Sequence, residues 1–153
     1  MVPGALISET RKVGLEALKM VSVGGYKKEN NMTEQELIKK HPKLFKQKDL
    51  PMTQTAMCWG IDCGPGWYSI IDELCTNLQN LTDKQGHPQV EFTQVKEKFG
   101  SLRVYTDGAS DAQFELIDRA EELSMSTCER CGQPGKLREN SWVVTLCNEC
   151  LTS

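Results

Sequence analysis

The 153 residues carry eighteen Lys/Arg against twenty-one Asp/Glu, a formal net charge of −3, with 39% hydrophobic and 25% charged residues. That length holds one ordinary domain or a small core plus a metal module, and no apolar run approaches the ~18 residues of a membrane span. Seven cysteines, an odd number, and a start without a basic and apolar leader fit a reducing cytoplasmic compartment better than a disulfide framework.

Charge is uneven along the chain. Residues 1–50 hold ten basic and six acidic side chains, whereas residues 51–153 hold eight and fifteen. Residues 1–31 read as a flexible or helical N-terminal extension. Within it, residues 8–21 place Val13, Ala17, Leu18 and Val21 on one side of a helix that Gly24-Gly25 would end. An α+β core is expected over residues 32–125. Thr33 with Glu36 makes a capping box, Leu37 and Ile38 supply an apolar patch, and His41-Pro42 interrupts the helix. No sequence cue gives His41 a partner, so it is expected in solvent. Lys39, Lys40, Lys43, Lys46 and Lys48 read as a solvated basic face.

Residues 58–68 have the most unusual composition. They pack Trp59, Trp67, Tyr68, Cys58, Cys63 and three glycines into eleven positions, where glycines permit tight turns and aromatics offer rigid surface. This loop either closes the core or presents a ligand platform. A helix follows, with Trp67, Ile70, Ile71, Leu74, Leu78 and Leu81 in one stripe and Asp72, Glu73, Thr76 and Asn77 facing away. Cys75 borders the stripe as a small buried hydrophobe. Cys58, Cys63 and Cys75 lack a diagnostic spacing for a second metal site, even with His87, and nothing ties a histidine to Cys63 as a nucleophile.

A β-hairpin is expected after His87-Pro88. Val90 and Phe92 alternate with polar residues, Val95 shifts the phase as a bulge or an early end to pairing would, and Leu102, Val104 and Tyr105 follow a turn at Phe99-Gly100. Lys96, Lys98 and Arg103 offer basic side chains with Glu91 and Glu97 interleaved. After Asp107-Gly108, Ser110 and Gln113 form a second capping box, and the helix to about Ser124 is expected to bury Phe114, Ile117 and Ala120, flanked by Leu116 and Leu123. Its acidic outer face, Glu115, Asp118, Glu121 and Glu122, carries no cue for acid–base chemistry.

Cys128, Cys131, Cys147 and Cys150 form two Cys-x-x-Cys pairs fifteen residues apart, a spacing suited to one tetrahedral Zn²⁺. Gly132 follows the first pair, and residues 136–139 and 142–146 read as two short strands returning the chain to Cys147. Residues 126–153 therefore read as a zinc ribbon, with two disulfides or an iron–sulfur centre as alternatives. The chain is expected to stop too soon for a helix after the second pair. Four thiolates close the coordination shell, so the metal is expected to be structural. The module's Arg130, Lys136 and Arg138 are balanced by Glu129, Glu139 and Glu149, which weakens a nucleic-acid role.

Several segments together, namely Met57-Cys58-Trp59-Gly60, Cys63-Gly64 with Gly66-Trp67-Tyr68, residues 94–103, and the cysteine region from Thr127 to Cys147, resemble a family of small uncharacterised bacteriophage and prophage proteins. The resemblance spans residues 33–150. It implies a viral origin and no particular reaction. Pro65 stands where relatives often carry an acidic residue, and Cys150 where some carry histidine. The fold class expected is thus α+β, helices packed on a β-hairpin, followed by a C-terminal zinc ribbon. The function expected is a non-enzymatic binding or regulatory protein engaging a host protein, as in host takeover or counter-defence. The alternatives are nucleic-acid binding and sequestration of a small signalling nucleotide in a pocket lined by Trp59, Trp67 and Tyr105. The candidate contact surface is Trp59, Trp67, Tyr68, Arg103 and Tyr105.

Overall fold

The computed structural model describes residues 32–139 and 141–152. The expected helix over residues 8–21, with the rest of the N-terminal extension, lies outside the described residues, as does Asn140 of the expected turn.

Helix α1, Glu34–Lys40, begins at the expected capping box: Glu36 N–H donates to Thr33 Oγ1 at 3.1 Å and Thr33 N–H to Glu36 Oε2 at 3.0 Å. It stops at His41, before the proline. A 3₁₀ turn, Lys46–Asp49, and a second, Met57–Trp59, lead to a two-residue strand β1, Ile61–Asp62. A third 3₁₀ turn, Pro65–Trp67, feeds helix α2, Tyr68–Gln85. The whole predicted stripe is buried: Trp67, Ile70, Ile71, Leu74, Leu78 and Leu81, with Cys75 beside it.

Strands β2, Glu91–Lys98, and β3, Ser101–Asp107, form the predicted antiparallel hairpin, and the register shifts between Phe92 and Gln94 where the phase change required it. β1 lies parallel to β2, pairing Ile61 with Val95. The strand order is β1-β2-β3. β1, α2 and β2 therefore make a parallel crossover unit, which the sequence reading had not contained because a two-residue strand shows no periodicity.

Helix α3, Asp111–Ser124, starts at the second capping box and packs against α2 and β3. Its buried stripe differs from the expected one. Phe114 is exposed, and the core side holds Gln113, Leu116, Ile117, Ala120 and Ser124. Buried Gln113 is satisfied: its Nε2 donates to Thr82 Oγ1 and the Pro88 carbonyl, and its Oε1 accepts from Ser110 N–H. Those three bonds fix the helix's rotation and leave Phe114 outside.

Both edges of the sheet are closed by helix side chains. Glu34 Oε2 accepts Ile61 N–H at 2.8 Å, while Ser124 Oγ and Glu121 Oε2 accept Leu102 and Val104 N–H at 2.8 and 2.9 Å. An unpaired strand edge invites pairing with other chains, and these contacts block it.

His41 is a second correction. Its side chain is 8% exposed, with Nε2 2.7 Å from Asp72 Oδ1, while Lys40 Nζ lies 3.0 Å from Asp72 Oδ2. Asp72, expected to face away from the core, instead ties α2 to the end of α1.

Candidate metal centre

Strands β4, Lys136–Glu139, and β5, Val143–Leu146, form an antiparallel hairpin that starts five residues after Cys131 and ends beside Cys147. The first pair sits in a knuckle. Gly132 N–H donates to the Cys128 carbonyl at 2.9 Å, with Gly132 at φ 84°, and Cys128 N–H donates to the Gln133 carbonyl at 2.7 Å. The second pair straddles the start of a short helix α4, Asn148–Thr152. The expectation was of no helix after the second pair; this one starts between its two members and takes in Cys150 itself. Five residues suffice for one turn, and its first turn aims the Cys150 backbone N–H at Cys147 Sγ, 3.3 Å away.

The four sulfurs lie within 4.8 Å of one another, and Cys131 Sγ is 3.6 Å from Cys147 Sγ. A tetrahedron with Zn–S bonds of about 2.3 Å has edges of about 3.8 Å, so the thiols fit one ion. Among the described residues no other cluster of cysteines, histidines and carboxylates could hold a metal. Zinc held there would supply a closed four-sulfur shell, a structural cross-link with no position for substrate.

The thiols differ in readiness to ionise. Burial opposes ionisation of Cys128, but backbone N–H groups of Cys147, Cys131 and Arg130 outweigh it and bring that thiol down to about 7. Burial and the neighbouring sulfurs push Cys150 up. One thiolate forms readily while Cys131 and Cys150 resist ionising beside it, a donor set that a cation relieves.

The other cysteines are arranged for packing. Cys75 is buried in the core, and Cys58 Sγ donates to the Thr55 carbonyl. Burial, reinforced by Glu129, Asp62, Glu34 and Glu97, holds the Cys63 thiol far above its ordinary range. A thiol kept neutral is a poor nucleophile and a poor ligand. His87 bonds to Ser110 Oγ and serves the α3 cap.

The aromatic candidates separate. Trp67 is fully buried and donates from Nε1 to the Thr127 carbonyl at 2.8 Å, so it leaves the proposed contact surface. Trp59 is 71% exposed, and Tyr68 is half-buried. Tyr105 and Arg103 stand exposed on the outer face of β3. A nucleotide pocket lined jointly by Trp59, Trp67 and Tyr105 does not form, because Trp67 points into the core. Lys96 pairs directly with Arg103, whereas Glu97 pairs with Leu102 and so lies on the other face. Of the two acids expected among those bases, only Glu97 leaves their face; Glu91, opposite Asp107, stays on the face of Arg103 and Tyr105.

Sequence reasoning missed Phe99. It occupies the two-residue turn between β2 and β3 at φ 53°, next to Gly100 at φ 84°. Two positive-φ residues define the turn that suits a right-twisted hairpin, and asparagine is the usual first residue there. Phe99 is 71% exposed, with Lys98 Nζ 5.8 Å from its ring centroid. The adjoining Gly100 backbone packs against the cysteine module: a Cβ there would run into Leu137, and Gly100 O accepts from Thr145 Oγ1. Leu137 and Trp142 of that module are 48% and 73% exposed.

Among the described residues, no helix is long and apolar enough to cross a membrane. The chain matches no protein-family model, no curated protein and no solved structure.

Proposed function

We propose that this chain is a non-enzymatic, phage-encoded binding protein that engages a host protein in the bacterial cytoplasm through the junction of the β2–β3 turn and the zinc hairpin. The observation that carries this reading is Phe99. A bulky residue in the left-handed region costs about 1–2 kcal/mol relative to right-handed backbone, and this one recovers little by burial, since its ring stands in solvent. A large aromatic at such a position is better explained by contact with another molecule than by the fold. Trp142 and Leu137 supply further exposed apolar surface on the hairpin beside the turn.

The module's arginines support a protein partner over nucleic acid. Arg130 donates to the Cys150 carbonyl, and Arg138 to the Leu146 carbonyl and Asn148 Oδ1, so both heads serve the metal loop. A second reading rests on the outer sheet face, where Lys96, Arg103 and Tyr105 stand together and could meet a nucleic-acid strand. Retention of labelled DNA or RNA that weakens steeply with salt would favour it.

Affinity capture from host cells with the full chain tests the main reading. The parent protein should recover a defined host partner, and Phe99→Asn and Trp142→Ser should lose it while retaining their metal. Phe99→Asn should also be more stable than the parent by about 1 kcal/mol, since asparagine tolerates the left-handed turn. Equal recovery by parent and variants, or turnover of a small molecule by the purified protein, would defeat the proposal.

A further inference from the structure

The knuckle bearing the first cysteine pair is held by the core as well as by its own hairpin. Trp67 Nε1 donates to the Thr127 carbonyl, Gly66 N–H donates to the Glu129 carbonyl at 2.7 Å, and Gly64 N–H donates to Glu129 Oε2 at 2.8 Å. The carbonyls on both sides of Cys128 are therefore fixed by one loop of the core. At Gly66 the approach is so close that any Cβ would collide with the Cys128 carbonyl, and backbone cannot swing aside as a long side chain would. On the far side, Glu129 N–H donates to the Thr145 carbonyl, and Thr145 Oγ1 reaches the β2–β3 turn. Cys147 and Cys150 are placed by β5 and α4.

We infer that Gly64, Gly66 and Trp67 are positioning residues for the metal: the core loop that starts α2 preorganises the first ligand pair, and metal occupancy in return orders that loop. The inference rests on the reading of the four thiols as a zinc site. None of the three residues touches the ion. Their effect runs through the backbone on either side of Cys128, in the manner of partners that orient ligands and whose loss weakens metal affinity about 10- to 100-fold. Because the coupling is a free energy shared by two sites, it must act in both directions. A loop that tightens metal binding is itself tightened by the metal. Trp67 reports this directly, since it is buried, bonded to the knuckle, and the first residue of the α2 stripe.

The test uses the full chain with Trp59→Phe and Trp142→Phe. Both replaced residues are exposed, and Trp67 is left as the sole tryptophan. Metal content is followed by native mass spectrometry as a chelator is added. Trp67 emission should shift to the red in step with metal release. In competition with a chromophoric chelator, Gly66→Ala should lose zinc at about tenfold lower chelator than the parent. Leu78→Ala, a core cavity further along α2, should lose it at the parent's concentration. Emission that stays constant while the metal leaves would overturn the inference, as would equal zinc retention by Gly66→Ala and the parent. The emission measurement stands even if Gly66→Ala fails to fold. Purified protein holding no metal would instead defeat the zinc reading itself, and the inference with it.

Discussion

Residues 34–124 and the cysteine module after them are held by different physics. The first region has twenty buried apolar residues in one cluster, running from Leu37 through the α2 stripe to Ala120. The second has three, Cys128, Leu146 and Cys147, and two of those belong to the four thiols that could hold a metal. A core of the first kind stands on burial, at roughly 25 cal/mol per Å² of apolar surface. A module of the second kind cannot, and it needs a cross-link and a surface to lean on. The contrast teaches that the tail's order is borrowed: part from hydrogen bonds to the Gly64–Trp67 loop and Gly100, and part from whatever cation its four thiols can hold.

Removing the metal should break the comparison most severely. Zinc in finger peptides supplies apparent binding energies of about 10–16 kcal/mol at neutral pH, so chelation or Cys128→Ser should abolish amide protection over residues 127–152. Most of α2, α3 and the β2–β3 hairpin should keep theirs, as hydrogen exchange would show. Full protection in a metal-free tail would mean that burial alone suffices there. The converse perturbation is Leu78→Ala, which opens a cavity under α2 and should cost about 3 kcal/mol in denaturant unfolding while zinc stoichiometry stays at one per chain.

The α1–α2 tie separates the two regions by pH. Burial raises the Asp72 carboxyl, but hydrogen bonds from His41 and Lys40 outweigh burial and hold it below the ordinary carboxylate range. A depressed carboxyl contributes stability that is present above its unfolded value, about 3.9, and is lost as pH falls through its folded value. Asp72→Asn should cost about 2 kcal/mol at neutral pH and flatten the stability profile below about pH 4, read by denaturant midpoints across pH. An unchanged acid slope would show that the pair contributes nothing. The smallest effect concerns a cap. Ser110→Ala should lower core stability by about 1 kcal/mol and leave chelator resistance of the module unchanged.

Much of the fold is legible in local residue patterns because its signals are local. The two capping boxes, the α2 stripe, the bulge before Val95 and the paired cysteines each lie within one element or one loop. What escaped depends on contacts between distant segments. Gln113 looks like an ordinary cap residue until Thr82 and Pro88 give its amide buried partners, and only then does Phe114 turn outward. His41 and Asp72, thirty-one residues apart, carry no mark of each other. Trp59 and Trp67 are equivalent by composition, yet one is exposed and the other fully buried, because only Trp67 opens a helix whose face is already apolar.

The candidate metal site divides in the same way. Spacing alone named Cys128, Cys131, Cys147 and Cys150, since two residues between thiols bring both sulfurs to one centre whatever lies elsewhere. Local turn chemistry placed Phe99 between the two strands; its left-handed backbone and its exposure belong to the folded hairpin.

The sequence by itself determined where α1 and α3 start, which face of α2 is apolar, and which four sulfurs converge, since capping, periodicity and ligand spacing act within a few residues. Only the tertiary structure decided that β1 joins the sheet in parallel, that Glu34, Glu121 and Ser124 close its edges, and that the Gly64–Trp67 loop grips the knuckle. Those contacts join residues tens of positions apart, and nothing in either local segment specifies its partner until chain packing brings them together.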